Sequence, residues 1–151
     1  MISTFDQTGN LPVGIHWASL KEFESRFGTN PRRKQLLKGL KQAITSLQKA
    51  GCRAVFVDGS FVTSKELPGD FDACWSVEGV DPDWLDSVLL DFSNGRAAQK
   101  AKYGGELFPA EMIEAGSGKP FLEFFQTDKN TGKPKGIVGL RLKPPRRKPK
   151  T

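Results

Sequence analysis

The sequence is most informative over residues 53–77, which read RAVFVDGSFVTSKELPGDFDACWSV. Two short apolar runs, at 53–58 and 70–77, have the length and the β-branched and aromatic content of buried strands. The polar segment between them begins with Gly59-Ser60 and is interrupted by Pro68-Gly69, which predicts a loop or a helical turn. We therefore expect two strands joined by a connection with polar groups at both of its ends.

Patterns on either side of this stretch predict further helices and strands. Ser19 and Asn30-Pro31 are typical helix starts, and the second helix has one apolar face and extends to Ala50. Later segments predict a helix from Asp81-Pro82, a polar helix at 96–102, a strand at 107–113, an aromatic helix near 117–125 and a strand at 137–142. This order indicates an α/β (α+β) fold, with a small mixed sheet flanked by helices.

The bulk composition fits one domain outside the membrane. The chain has 151 residues, is 37% hydrophobic and has a mean hydropathy of −0.43. No apolar run approaches the roughly 18 residues that a membrane-spanning helix needs, and the N-terminus does not resemble a signal peptide. Cys52 and Cys74 lack the spacing of metal ligands, so we expect two buried reduced thiols in a cytoplasmic protein.

Positive charge is concentrated at the C-terminus. The formal net charge is +6, and residues 143–151 contain five basic side chains and no acidic one, so the rest of the chain has 6 − 5 = +1. We predict a folded domain with an N-terminal lead-in at 1–142 and a disordered basic tail at 143–151. The tail either contacts nucleic acid through its phosphates or only keeps the chain in solution.

The ends of the 59–70 connection have the residue types of a metal and phosphate site. Gly59 lets the main chain approach a ligand closely, and Ser60 offers a hydroxyl and an amide to phosphate oxygens. Asp70 and Asp72 lie on the same side of a strand because side chains alternate, whereas Phe71 points into the core. Two carboxylates on one side repel each other, and a magnesium ion between them would relieve that repulsion.

This combination resembles the signature of the nucleotidyltransferase superfamily related to DNA polymerase beta. The matching residues are Val57-Asp58-Gly59-Ser60-Phe61-Val62-Thr63 followed by Gly69-Asp70-Phe71-Asp72. The small size is similar to that of the minimal nucleotidyltransferases of bacteria and phages, which often form one half of a toxin–antitoxin pair. The lead-in Gly9-Asn10-Leu11-Pro12 also resembles an uncharacterised bacterial group.

The resemblance implies a nucleotidyltransferase-like domain at 1–142 and a reaction. A nucleoside monophosphate would move from a nucleoside triphosphate (NTP), ATP or another, to a hydroxyl of a protein or an RNA, with Mg²⁺ or Mn²⁺ as cofactor. Asp70 and Asp72 would bridge the metal ions and Gly59 and Ser60 would hold the β- and γ-phosphates. A cognate toxin or antitoxin is the implied protein partner.

Two further roles follow from the resemblance. Glu111, on the predicted 107–113 strand, is our first choice for the third metal-binding and catalytic carboxylate, with Glu106 and Glu114 as alternatives. Many minimal members have an arginine just after Gly-Ser, where this chain has Phe61. Lys65 would then neutralise the triphosphate.

Several side chains also have ordinary structural interpretations. The expected core includes Trp75, Trp84, Phe121, Phe124 and Phe125. His16 is expected to be a packed or loop residue and Arg32-Arg33-Lys34 a solvated helix face, whereas Arg96, Lys100 and Lys102 either line a triphosphate or acceptor strand or are solvated. The alternative function is a catalytically idle, nucleotidyltransferase-like binding module, either an antitoxin or a nucleic-acid-associated subunit.

Overall fold

A five-stranded mixed sheet organises the chain in the computed structural model, which describes residues 2–143 and 145. The strands are β1 (Gly14–Ala18), β2 (Ala54–Asp58), β3 (Phe71–Trp75), β4 (Gly105–Pro109) and β5 (Gly136–Arg141). Their spatial order is β1-β5-β2-β3-β4; β1 with β5 and β3 with β4 are parallel, and β2 is antiparallel to both of its neighbours. The predicted α/β (α+β) class with a mixed sheet is confirmed.

The first two of the four α-helices in the described residues begin where the sequence predicts them. The four are α1 (Leu20–Phe27), α2 (Pro31–Lys49), α3 (Ser93–Tyr103) and the single turn α4 (Phe121–Phe124). The side-chain oxygen of Ser19 accepts from the amide of Glu22, and that of Asn30 accepts from the amide of Arg33. Both caps satisfy amide groups that have no partner within the helix, which explains why α1 and α2 begin there.

Each face of the sheet packs against its own apolar cluster. The first cluster joins α1 and α2 to side chains of the central strands that include Val55, Phe71 and Trp75. The second joins α4 to side chains of the opposite face, among them Phe56, Cys74 and Phe108. Burial of one large apolar side chain contributes roughly 1.5–3 kcal/mol, so both faces of β3 are held firmly. Phe71 is fully buried, as expected.

Parts of the predicted organisation are corrected. The lead-in contains β1, and the helix expected after Asp81 is replaced by two short 3₁₀ turns, Pro82–Trp84 and Ser87–Leu90. Trp84 is 54% exposed and so is not a core residue. Arg33, expected on a solvated face, is buried. The fourth strand begins and ends earlier than predicted, which matters for the site.

The state of the two cysteines agrees with the prediction, whereas the predicted tail falls almost wholly outside the described residues. Cys52 and Cys74 are free and buried. In the part of the chain that the structure describes, no helix combines the length and the apolar character needed to cross a membrane. Apart from Lys143 and Pro145, the predicted basic tail at 143–151 lies outside the described residues.

Candidate functional site

Three carboxylates lie side by side on one face of the sheet, and we call them the carboxylate row. In the strand register Asp58 of β2 is opposite Asp72 of β3, and Asp72 is opposite Glu106 of β4. Adjacent strands are about 4.8 Å apart, so three acidic residues of three strands fall within roughly 10 Å. The row continues the face of Phe56, Cys74 and Phe108, because side chains two positions apart along a strand point the same way.

Asp72, in the middle of the row, is in a strongly unfavourable environment for a negative charge. Burial, followed by the charges of Asp70, Asp58 and Glu106, raises the pKa of Asp72 to about 7. Among the described residues, none forms a hydrogen bond or an ion pair with the carboxylates of Asp70 and Asp72. A bound cation would therefore be stabilised by both carboxylates.

The outer members of the row are neutralised. Lys135 Nζ lies 2.9 Å from Asp58 Oδ1, whereas Glu106 Oε1 lies 3.1 Å from an Nη atom of Arg96 and 3.0 Å from Lys100 Nζ. The pKa of Asp58 is nevertheless raised, because its burial outweighs the attraction of Lys135. The unbalanced negative charge of the site is thus concentrated at Asp70 and Asp72.

Gly59 brings the main chain close to the Asp72 carboxylate. Its φ is +81°, and a Cβ atom at this position would lie 2.6 Å from Asp72 Oδ2. Only glycine meets both conditions without strain, because it has no Cβ and adopts positive φ readily. Ser60 follows at the start of a 3₁₀ turn, Ser60–Val62. The Gly-Ser pair and the Asp-x-Asp pair are therefore brought together in space, as their spacing in the sequence predicts.

Two arginines at the start of α2 hold the connection that joins these pairs. The guanidinium of Arg33 donates hydrogen bonds to four main-chain carbonyl oxygens, those of Phe27 (3.3 Å), Phe61 (2.6 Å), Thr63 (2.8 Å) and Lys65 (2.5 Å). Arg32 donates to the carbonyl oxygens of Pro68 (3.1 Å) and Gly69. Main-chain carbonyl groups that are removed from water need hydrogen-bond donors. The two arginines supply these donors and so hold in place the 61–69 segment, which does not pair with a strand.

The structure does not bring Glu111 to the carboxylate row. Glu111 lies beyond the end of β4, and its Oε1 accepts from the amide of Val77, past the far end of β3. Val77 is five residues after Asp72, a separation of roughly 16 Å along an extended chain. Glu106 takes the position beside Asp72 because β4 begins at Gly105, two residues earlier than the predicted strand.

Among the described residues, the side chains of Glu114 and Lys65 form no hydrogen bond or ion pair with the row. Glu114 accepts from the amides of Gly116 and Ser117 in an exposed turn. Lys65 is exposed, and Arg33 binds its main-chain oxygen. Its proposed contact with a triphosphate stays a prediction.

The donor set suits a cation only in part. In the described residues, no group of three or more His, Cys, Asp or Glu side chains is arranged to hold a metal ion. Asp70 and Asp72 form a pair instead. Magnesium is commonly bound by one or two carboxylates and completes its coordination with substrate phosphates and water. The pair therefore fits a magnesium ion that arrives with a nucleotide better than a resident metal.

Comparison with known proteins gives a family without an assigned activity. A family model matches residues 3–141, which include the carboxylate row and the Gly-Ser pair, and the chain belongs to this family, DUF6932, described as a family of unknown function. No curated protein and no solved structure matches the chain.

Proposed function

We propose that the protein is a nucleotidyltransferase that uses Mg²⁺ or Mn²⁺ to move a nucleoside monophosphate from an NTP to an acceptor hydroxyl. The acceptor is a protein or an RNA, and the toxin–antitoxin setting of similar small enzymes supplies the biological context. The observation that supports this proposal best is the approach of Gly59 to Asp72. This approach brings main-chain atoms of Gly59, which are suited to contact with phosphate, beside the carboxylate of Asp72, which forms no ion pair with a described residue.

The proposed reaction assigns roles to the aspartate pair, the Gly-Ser pair and Glu106. Divalent metal ions, when bound, polarise the α-phosphate and neutralise the charge of the triphosphate. Asp70 and Asp72 hold them, and Gly59 and Ser60 position the β- and γ-phosphates. Glu106 orients the acceptor hydroxyl and takes its proton.

The reaction is a single displacement at the α-phosphorus. The acceptor oxygen attacks the α-phosphorus in line with the oxygen that bridges to the β-phosphate. One oxygen–phosphorus bond forms, the bridging bond breaks, and pyrophosphate leaves. Arg96 and Lys100, at 3.1 and 3.0 Å from Glu106, hold this carboxylate in position beside Asp72.

A transfer assay tests the proposal. The purified protein is incubated with each α-³²P-labelled NTP, Mg²⁺ or Mn²⁺ and a cell lysate, and the labelled product is digested separately with protease and with ribonuclease. We expect a metal-dependent product that disappears in the Asp70→Asn/Asp72→Asn variant. The matched control is Glu111→Gln, which removes a carboxylate outside the row and should leave transfer intact. Label transfer that survives the double substitution would refute the assignment.

A second candidate function is the idle binding module. It is favoured by the ion pairs that occupy Asp58 and Glu106, since they leave only two carboxylates available to a cation. Pull-down with the full chain, a chain lacking residues 143–151 and the double aspartate variant separates the two functions. The binding module is the correct function if three results are obtained together. The tail deletion abolishes partner or nucleic-acid binding, the double aspartate variant retains that binding, and no NTP is consumed.

A further inference from the structure

The nineteen-residue helix α2 carries an unusual concentration of positive charge. It contains six basic residues and no acidic residue, namely Arg32, Arg33, Lys34, Lys38, Lys41 and Lys49. The nearly neutral charge of the chain without its tail hides this concentration, because acidic residues elsewhere cancel it. Positive charge of this density on one helix attracts an extended anionic partner.

A groove begins at the candidate site and follows this helix. It lies between α2 and the end of α3, has a volume of about 530 Å³, and is lined by residues that include Arg32, Lys38, Gly39, Asp70, Lys100 and Lys102. Asp70 at one end belongs both to the groove and to the candidate metal pair. A second, shallower hollow of about 450 Å³ shares Lys38 and Gln42 with the groove and adds Lys34 and Lys41. We call the two together the α2 groove.

The cations of the α2 groove differ in their availability. Lys41 Nζ lies 2.5 Å from Glu24, and Lys100 and Lys102 pair with Glu106 and Asp86. Lys34 and Lys38 are exposed, and neither forms an ion pair within the described part of the chain. Being four residues apart, they lie on the same side of the helix, about 6 Å from each other along its axis.

We propose that the α2 groove binds the phosphate backbone of a single-stranded nucleic acid whose terminal hydroxyl reaches Asp70. This inference rests on the proposed transfer reaction and specifies its acceptor. A protein acceptor fits less well, because interfaces between proteins are poor in lysine whereas phosphate contacts use it. Tyr103 is the only aromatic side chain lining the groove among the described residues, and it is buried. Base stacking is thus absent, and binding is expected to be independent of sequence.

Fluorescence anisotropy with labelled 12-nucleotide strands of RNA and of DNA, measured without NTP, tests this surface. The variant is Lys34→Gln/Lys38→Gln in the full chain, and the matched control is Lys21→Gln/Lys49→Gln, which removes two exposed lysines outside the groove. Every variant keeps the basic tail, so the tail cannot account for a difference. Two lost phosphate contacts should weaken binding on the order of tenfold near 0.1 M salt and reduce the slope of log K against log[salt] by about 1.4.

The outcomes separate this inference from the transfer reaction. Retention of binding by Asp70→Asn/Asp72→Asn, together with loss in the lysine variant, supports the groove even when no transfer is detected. Equal affinities of the lysine variant and its control overturn the proposal. It is also overturned if the lysine variant loses binding to polyglutamate but not to RNA or DNA, because the partner is then an acidic protein surface. A preference for RNA over DNA identifies which strand is the acceptor.

Discussion

Replacing Asp72 with asparagine removes one ionisable group from the carboxylate row and keeps the shape of the side chain. In the folded protein the pKa of Asp72 is about 7, compared with 3.8 for the ordinary group. The folded state therefore holds this proton at pH values where the unfolded state has released it. Stability falls as the pH rises from 3.8 towards 7 and stays low above it.

The size of the change in stability follows from the difference between the pKa of Asp72 in the folded protein and its ordinary value. One unit of pKa corresponds to 1.36 kcal/mol, so at pH 8 the full difference of 7 − 3.8 = 3.2 units costs about 4 kcal/mol. At pH 5 only about a third of this cost is expressed, because the folded protein still keeps most of the proton. Between pH 5 and pH 8 the natural protein should lose about 3 kcal/mol relative to Asp72→Asn. Residual contact of the carboxylate with water makes this an upper value.

Thermal unfolding followed by circular dichroism from pH 5 to pH 8.5, in buffer with a chelator, measures this difference. For a chain of this size 1 kcal/mol changes Tm by roughly 3 °C, so the two proteins should diverge by up to about 9 °C as the pH rises. Groups distant from the row move both curves together, so the divergence reports Asp72 together with its electrostatic coupling to Asp70, Asp58 and Glu106. Addition of Mg²⁺ together with a non-hydrolysable NTP analogue at pH 8 should raise the Tm of the natural protein and leave that of the variant unchanged.

Parallel pH profiles of the two proteins would refute the argument that the row leaves Asp72 without a compensating charge. A Mg²⁺ effect of the same size in both proteins would refute the assignment of Asp72 as a ligand. The two readouts are independent, because the first needs no metal and the second is taken at one pH.

Three further substitutions test the parts that support the site. Gly59→Ala places a Cβ atom 2.6 Å from Asp72 Oδ2 at a φ of +81°, so it should cost about 1–3 kcal/mol in urea unfolding; an unchanged midpoint contradicts this. Arg33→Met leaves four carbonyl oxygens without their donor and should cost about 3–5 kcal/mol in the same assay, whereas a loss below about 1 kcal/mol means that the connection is held by other contacts. Glu106→Gln should lower label transfer at least about 100-fold and Glu111→Gln less than about twofold, and the reverse order returns the third carboxylate to Glu111.

Local patterns predicted much of the fold correctly. The caps at Ser19 and Asn30, and the two strands around the 59–70 connection, depend on residues close together in the chain. β1 was missed because its five residues are all half-buried and show no alternation. Trp84 was misplaced because an aromatic side chain in a short apolar segment has the same pattern whether it is packed or exposed.

The sequence predicted only those parts of the site whose residues are close together in the chain. Asp70 directly precedes β3 and Asp72 is the second residue of that strand, so their proximity follows from their spacing in the sequence alone. The neighbours Asp58 and Glu106 depend on the register of three strands, which no local pattern specifies. An error of two residues in the start of β4 was enough to favour Glu111 over Glu106. The burial of Arg33 depends on the path of the 61–65 segment, which the sequence of α2 does not reveal.

Isothermal titration of the protein with a non-hydrolysable NTP analogue tests the central claim most directly. We predict binding with Mg²⁺ present, no binding after chelation, and no binding by Asp70→Asn/Asp72→Asn, while Glu111→Gln binds like the natural chain. Binding that is indifferent to Mg²⁺ and to both aspartates, or the absence of binding by the natural chain with every NTP analogue, would contradict a metal and triphosphate site at the carboxylate row.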